Sequence, residues 1–184
     1  RVLDPFAGVG GVHALGFDSV GVELEPEWAT QHPRTLVANA LALPFAPGTF
    51  DAVITSPAYG NRLADRDMRP SCAGTYAKWL GREASAGSAC HLQWGDPYRA
   101  FHQAAWCEAV RVLRFGGRFV LNVSDHVRDK RRQAVTAWHV RTLLELGLAF
   151  RDCVAVITPR LRNGANAEAR VPAELIVAFE KVAA

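Results

Sequence analysis

The sequence predicts a doubly wound α/β domain, and three observations carry the prediction. Short apolar runs of strand length alternate with helical patterns along the chain. The early runs are near-continuously apolar, as strands buried on both faces of a parallel sheet must be. The last two runs follow one another with no helical pattern between them, so they form an antiparallel hairpin beside a mostly parallel sheet. The chain has 184 residues, 49% of them hydrophobic, which fits one domain with an ordinary core.

In order, the first strand spans residues 1–4 (RVLD) and leads through glycines into a helix over 9–15. Strands follow at 19–23 (SVGVE), 34–38 and 50–55 (FDAVIT), with a helix at 26–31 after the second. Residues 60–95 show no sustained periodicity and are far longer than an ordinary connection, so they form a long irregular insertion suited to substrate recognition. Asp96 then serves as N-cap and Pro97 as first helical residue of a helix over 96–113. Gly116 and Gly117 stop that helix and turn into a fifth strand at 117–124. A helix over 133–147 and strands at 150–158 and 173–180 complete the chain.

Charge is unevenly spread. Residues 1–60 hold two basic and six acidic side chains, whereas 61–184 hold nineteen and twelve, so the second part suits a polyanionic partner. The four cysteines, at 72, 90, 107 and 153, form no C-x-x-C pair, which argues against a disulfide scaffold and for a reducing, cytoplasmic setting. Cys72, Cys90, His91 and His102 are too irregularly spaced for a metal cluster, so no metal is expected. No apolar run reaches membrane-spanning length and no leader is visible; Arg1 opens directly on a strand without Met, which points to residues upstream.

The first strand reads on as "RVLDPFAGVGGVHAL". Gly8, Gly10 and Gly11 let the backbone approach a ligand closely, although a dinucleotide fingerprint would place a third glycine where His13 stands. Glu23 ends the second strand, where a carboxylate can accept hydrogen bonds from both hydroxyls of a ribose. In a doubly wound sheet the strand order reverses between the first and fourth strands, and ligands bind outside their carboxyl ends. The turns Asp4–Gly10 and Ser56–Tyr59 therefore share one cleft.

Together "DPFAGVGG" and "TSPAYG" resemble the amino-methyltransferases that use S-adenosylmethionine to methylate exocyclic amino groups of DNA bases, whose motifs are D-P-F-x-G-x-G and [DNS]-P-P-[YFW]. The resemblance covers most of the chain: "VANALALPFAPGTFDAVITSPAY" is similar to the run from third strand to catalytic turn, and "RVPAELIVAFEK" to the last strand. It implies a single Rossmann-like methyltransferase domain with Asp4, Phe6, Ala7, Gly8, Gly10, Glu23, Leu24, Asn39 and Ala40 at the cofactor. Asn39 stands where an Asp more often reads the adenine amino group. Two departures are visible: Ala58 replaces a second proline, and the family's helix ahead of the first strand is not in this sequence.

The same resemblance implies the chemistry. Ser56 Oγ and the Pro57 carbonyl would accept the two N–H bonds of the target amine, and Tyr59 would stack on a base taken out of its helix. Arg62, Arg66 and Arg69, the run Lys130, Arg131 and Arg132, and Arg160 and Arg162 would hold phosphates. Serine at position 56 goes with N4-cytosine over N6-adenine in DNA. An RNA methyltransferase acting on guanine N2 and a non-catalytic nucleic-acid-binding subunit are the alternatives, and a homodimer or partner subunit stays open.

Overall fold

The computed structural model describes residues 1–60, 79–128, 130–158 and 171–183. Among the described residues nine strands run in chain order: β1 (Val2–Asp4), β2 (Ser19–Glu23), β3 (Thr35–Val37), β4 (Phe50–Thr55), β5 (Leu113–Val123), β6 (His126–Arg128), β7 (Arg131–Gln133), β8 (Leu148–Ile157) and β9 (Ala173–Lys181). The α-helices with both ends among the described residues are α1 (Pro26–Ala29), α2 (Asp96–Val112) and α3 (Val135–Glu145).

Seven strands form one sheet in the order β3-β2-β1-β4-β5-β9-β8. The first four pairings are parallel; β9 runs antiparallel to both β5 and β8. This is the expected mostly parallel α/β sheet with its C-terminal hairpin, and β9 inserts between β5 and β8. The order reverses between β1 and β4, which opens the crevice in which doubly wound folds take ligands.

Buried residues of α2 recur three and four apart, at Tyr98, His102, Ala105, Trp106 and Ala109, so one helical face meets the sheet. Trp106 packs there in the core cluster with Leu3, Val53, Phe119 and Leu121. β8 is the outermost strand, and its distal half is exposed: Val154 at 52% and Ile157 at 82%.

Several expectations are corrected. The N-cap of α2 is Gly95, and Asp96 lies in the first turn, where its carboxylate accepts from Arg99 Nη1 at 2.7 Å. At that position the carboxylate answers the helix dipole and an i,i+3 partner instead of an orphan backbone N–H. The helix ends at Val112 and β5 begins at Leu113, ahead of the two glycines. Phe50 pairs with Leu113 and Ala52 with Arg118, so Gly116 and Gly117 belong to a bulge in β5 and do not terminate the helix. Residues 9–15 contain only a 3-10 turn, Gly11–Leu15, bounded by left-handed Gly10 and Gly16. The basic run after β5 folds into the β6-β7 hairpin, with His126 opposite Gln133 and Arg128 opposite Arg131. Among the described residues no helix is long and apolar enough to cross a membrane.

Candidate active site

The site begins at the end of β1. Asp4 Oδ1 accepts from the Phe6 amide at 3.0 Å and from Thr55 Oγ1 at 2.7 Å, which ties the glycine turn to the end of β4. Burial raises the Asp4 carboxyl to about 6 against the pull of those two hydrogen bonds. The turn then runs through Gly8 at φ 53° and Gly10 at φ 90°, left-handed geometry that side chains other than glycine adopt with strain. A Cβ on Gly10 would also stand 2.9 Å from the side chains of both His13 and His32, whose rings stack at 3.8 Å.

Glu23 closes the next strand. Its Oε2 accepts from the Gly8 amide at 3.0 Å and its Oε1 from the Glu25 amide at 2.9 Å. Burial raises its carboxyl above the ordinary range, and these backbone donors oppose the shift. The acid is therefore held by the very turn that would face a ligand.

A cavity of about 420 Å³ lies outside the strand ends. Its lining includes Phe6, Ala7 and Gly8 from the first turn, Glu23 and Leu24 from the second, Asn39 and Ala40 after β3, and Ser56, Pro57, Ala58 and Tyr59 after β4. Asp4 and Gly10 are outside that lining: Asp4 braces the two turns from behind and Gly10 shapes the chain. Asn39 Oδ1 accepts from the Leu41 amide at 2.9 Å, a local turn that leaves the oxygen a second lone pair. At the far end of the β4 turn, the Gly60 carbonyl accepts from the Trp94 amide at 3.0 Å, and a Cβ on Gly60 would come within 2.8 Å of that nitrogen.

Sequence patterns missed part of the lining. Trp28, Trp79, Phe101, Ser88, Ala89 and Cys90 also face the cavity. Phe101 could have been found from the inward face of α2, where the Phe6 ring lies 6.2 Å from it. The others sit in α1 or in the stretch that shows no periodicity.

The basic candidates divide. Arg62, Arg66, Arg69, Arg160 and Arg162 lie outside the described residues. Lys130 and Arg131 are exposed at the β6-β7 hairpin. Arg132 is engaged: its Nε donates to Asp125 Oδ2 at 2.7 Å, while Asp125 Oδ1 accepts from the Thr136 amide at 2.8 Å at the start of α3. The hairpin reaches toward the end of the β4 turn through His126, whose ring meets edge-on at 6.4 Å the ring of Trp94, the residue whose amide donates to the Gly60 carbonyl.

No protein-family model and no curated protein sequence matches the chain. Solved S-adenosylmethionine-dependent methyltransferases share its fold. One from Methanosarcina mazei is 12% identical with a TM-score of 0.61, over 100% of this chain and 92% of that one. A geranyl diphosphate C-methyltransferase from Streptomyces coelicolor A3(2), solved with S-adenosyl-L-homocysteine, is 15% identical at 0.59, over 98% and 70%. A 1,6-didemethyltoxoflavin-N1-methyltransferase from Burkholderia thailandensis is 16% identical at 0.55, over 99% and 71%. The last two are named for small-molecule substrates and not for DNA, and at these identities the likeness establishes the fold alone.

Proposed function

We propose that the protein is an S-adenosylmethionine-dependent methyltransferase acting on the exocyclic amino group of a nucleic-acid base, N4 of cytosine in DNA before N6 of adenine. One observation carries it: Ser56, Pro57 and Tyr59 line the same cavity as Gly8 and Glu23, the two turns being bonded through Thr55 and Asp4. The residues fit such a cofactor. Open space surrounds the Cβ position of Gly8, the Glu23 carboxylate suits the ribose hydroxyls, and Asn39 keeps an acceptor for the adenine amine.

When bound, the cofactor supplies an electrophilic sulfonium methyl group. An aromatic amine attacks it poorly because its lone pair is delocalised into the ring. Ser56 Oγ and the Pro57 carbonyl accept the amine's two N–H bonds and bias the nitrogen toward tetrahedral geometry. Pro57 fixes the turn, and Tyr59 holds the base by stacking. Positioning of the amine against the methyl group carries the rate.

Tyr59→Ala should lower turnover on nucleic acid by roughly 5- to 150-fold, the equivalent of ~1–3 kcal/mol of stacking, with cofactor affinity nearly unchanged. Equal loss in both, measured by steady-state kinetics and calorimetry, would make the ring a packing residue. Replacing Lys130 and Arg131 with Ala should flatten the salt dependence of DNA binding by about one unit for each phosphate that the side chains neutralise. Arg132→Ala should instead loosen the hairpin, because its guanidinium is spent on Asp125. A slope unaltered by the double substitution would return those residues to the solvent.

The reaction itself is tested by incubating the protein with labelled S-adenosylmethionine and either DNA or RNA, followed by nucleoside mass spectrometry. N4-methylcytosine is expected in DNA. N6-methyladenine alone would correct the base, N2-methylguanine in RNA would move the substrate, and methylation at ring carbon 5 would refute amine chemistry altogether.

A further inference from the structure

Residues 79–91 form the side of the cavity that the strand ends leave open, presenting Trp79, Gly87, Ser88, Ala89 and Cys90 to it. None of them belongs to the main core cluster. Two carboxylates of the α1 region hold them, Glu25 and Glu27, and Glu25 is the buried one. Glu25 has a side chain only 1% exposed. Its Oε2 accepts from Arg82 Nη2 at 2.8 Å and Ser85 Oγ at 2.9 Å, and its Oε1 from the Ser85 amide at 2.8 Å. Arg82 also grips the Glu27 carboxylate, from Nε at 2.8 Å and Nη2 at 2.6 Å. A buried carboxylate left without its partners is strongly unfavourable, so this attachment is specific and not incidental. Glu25 is moreover joined to the cavity by its own backbone, since its amide donates to Glu23 Oε1 at 2.9 Å.

We infer that Glu25 and Arg82 are positioning residues for the cofactor: their ion pair fixes residues 79–91 as the closing wall over the ligand held by Glu23. The inference rests on the methyltransferase reading, which identifies that ligand. Because the wall contributes little to the core, breaking the pair loosens the ligand and leaves the sheet intact. Cys90 is a built-in reporter of the wall, its side chain lying in the cavity lining and the residue 8% exposed.

The decisive variant is Arg82→Ala, which leaves Glu25 its two bonds from Ser85. Three measurements are made on it and on the parent chain: calorimetry with S-adenosylhomocysteine, urea unfolding without ligand, and iodoacetamide alkylation of Cys90 resolved by peptide mass spectrometry. Affinity should fall on the order of tenfold, a typical coupling between a site and its support. Cys90 should alkylate faster, ligand should protect it less than in the parent, and the urea midpoint should fall only modestly, because Glu25 keeps its Ser85 donors and gains water as the wall loosens. Arg82→Lys, which keeps the charge without the fork that spans two carboxylates, should recover part of the affinity. Unchanged affinity and unchanged Cys90 protection in Arg82→Ala would overturn the inference, as would a fall in urea midpoint with Cys90 protection unaltered. If the parent chain binds no S-adenosylhomocysteine, the methyltransferase reading falls and takes this one with it; binding by the parent with an indifferent variant removes the wall alone.

Discussion

Glu23→Ala is expected to raise the dissociation constant for S-adenosylmethionine by roughly 10²–10⁴-fold, through loss of two charge-assisted hydrogen bonds worth about 1.5–3 kcal/mol each. The substitution also strips the Gly8 and Glu25 amides of their acceptor, so the turn that lines the cavity is disturbed together with the proposed hold on the ribose. Glu23→Gln keeps the shape and one acceptor oxygen and should fall between the two. Since burial raises the Glu23 carboxyl, it protonates at higher pH than an exposed glutamate, and affinity should weaken correspondingly early on acidification. Titration calorimetry across pH reads all three; affinity untouched by the alanine variant would remove Glu23 from the site.

Trp106→Ala is expected to cost about 3–5 kcal/mol of stability, because the indole is fully buried and its loss leaves a cavity. It also removes a hydrogen bond with a defined direction. Trp106 Nε1 donates to His139 Nδ1 at 3.0 Å, and an indole nitrogen can only donate, so Nδ1 carries the lone pair and the proton is on Nε2. That proton faces Tyr98 Oη at 3.0 Å. Trp106→Phe preserves most of the volume and should cost about 1–3 kcal/mol, the penalty for an orphaned buried acceptor. Urea unfolding measures both, and a Trp106→Phe chain as stable as the parent would show that the hydrogen bond contributes nothing.

The same cluster sets a pH dependence. Burial holds His139 well below the usual histidine value and His102 down at about 4, so both are neutral in the folded chain. A depressed folded value means stability is fully present above the unfolded value of about 6.5 and declines as pH falls below it. The parent chain should therefore lose urea resistance as pH drops from about 6.5 toward 4.

The glycine turn after β1 and the serine-proline turn after β4 were legible because each is a local pattern: an apolar strand followed at once by residues with unusual backbone freedom. Their adjacency was legible too, since chain order in a doubly wound sheet decides it. Residues 79–91 were not, because what places them is an ion pair between Arg82 and Glu25 across 57 positions of sequence. Periodicity carries no record of such a pair. The β6-β7 hairpin escaped for another reason: its six paired residues are mostly charged or polar and lack the alternation that marks a half-buried strand. Asp96 shows a narrower limit, as a displacement of one residue turned an expected cap into a dipole partner.

β8 has a bearing on how this protein behaves at high concentration. Among the described residues it is the last strand of the sheet, and Phe150, Val154, Val156 and Ile157 are all exposed along it. An outer strand with apolar side chains on both faces, whose far edge pairs with no other described strand, is a template for intermolecular β-pairing. Arg151, held to Glu180 at 3.0 Å, and Asp152 beside it place charges near the start of that strand, and no charged residue follows them to Ile157. A lysine introduced at Val154 is therefore expected to reduce precipitation at high concentration without touching any residue of the cavity.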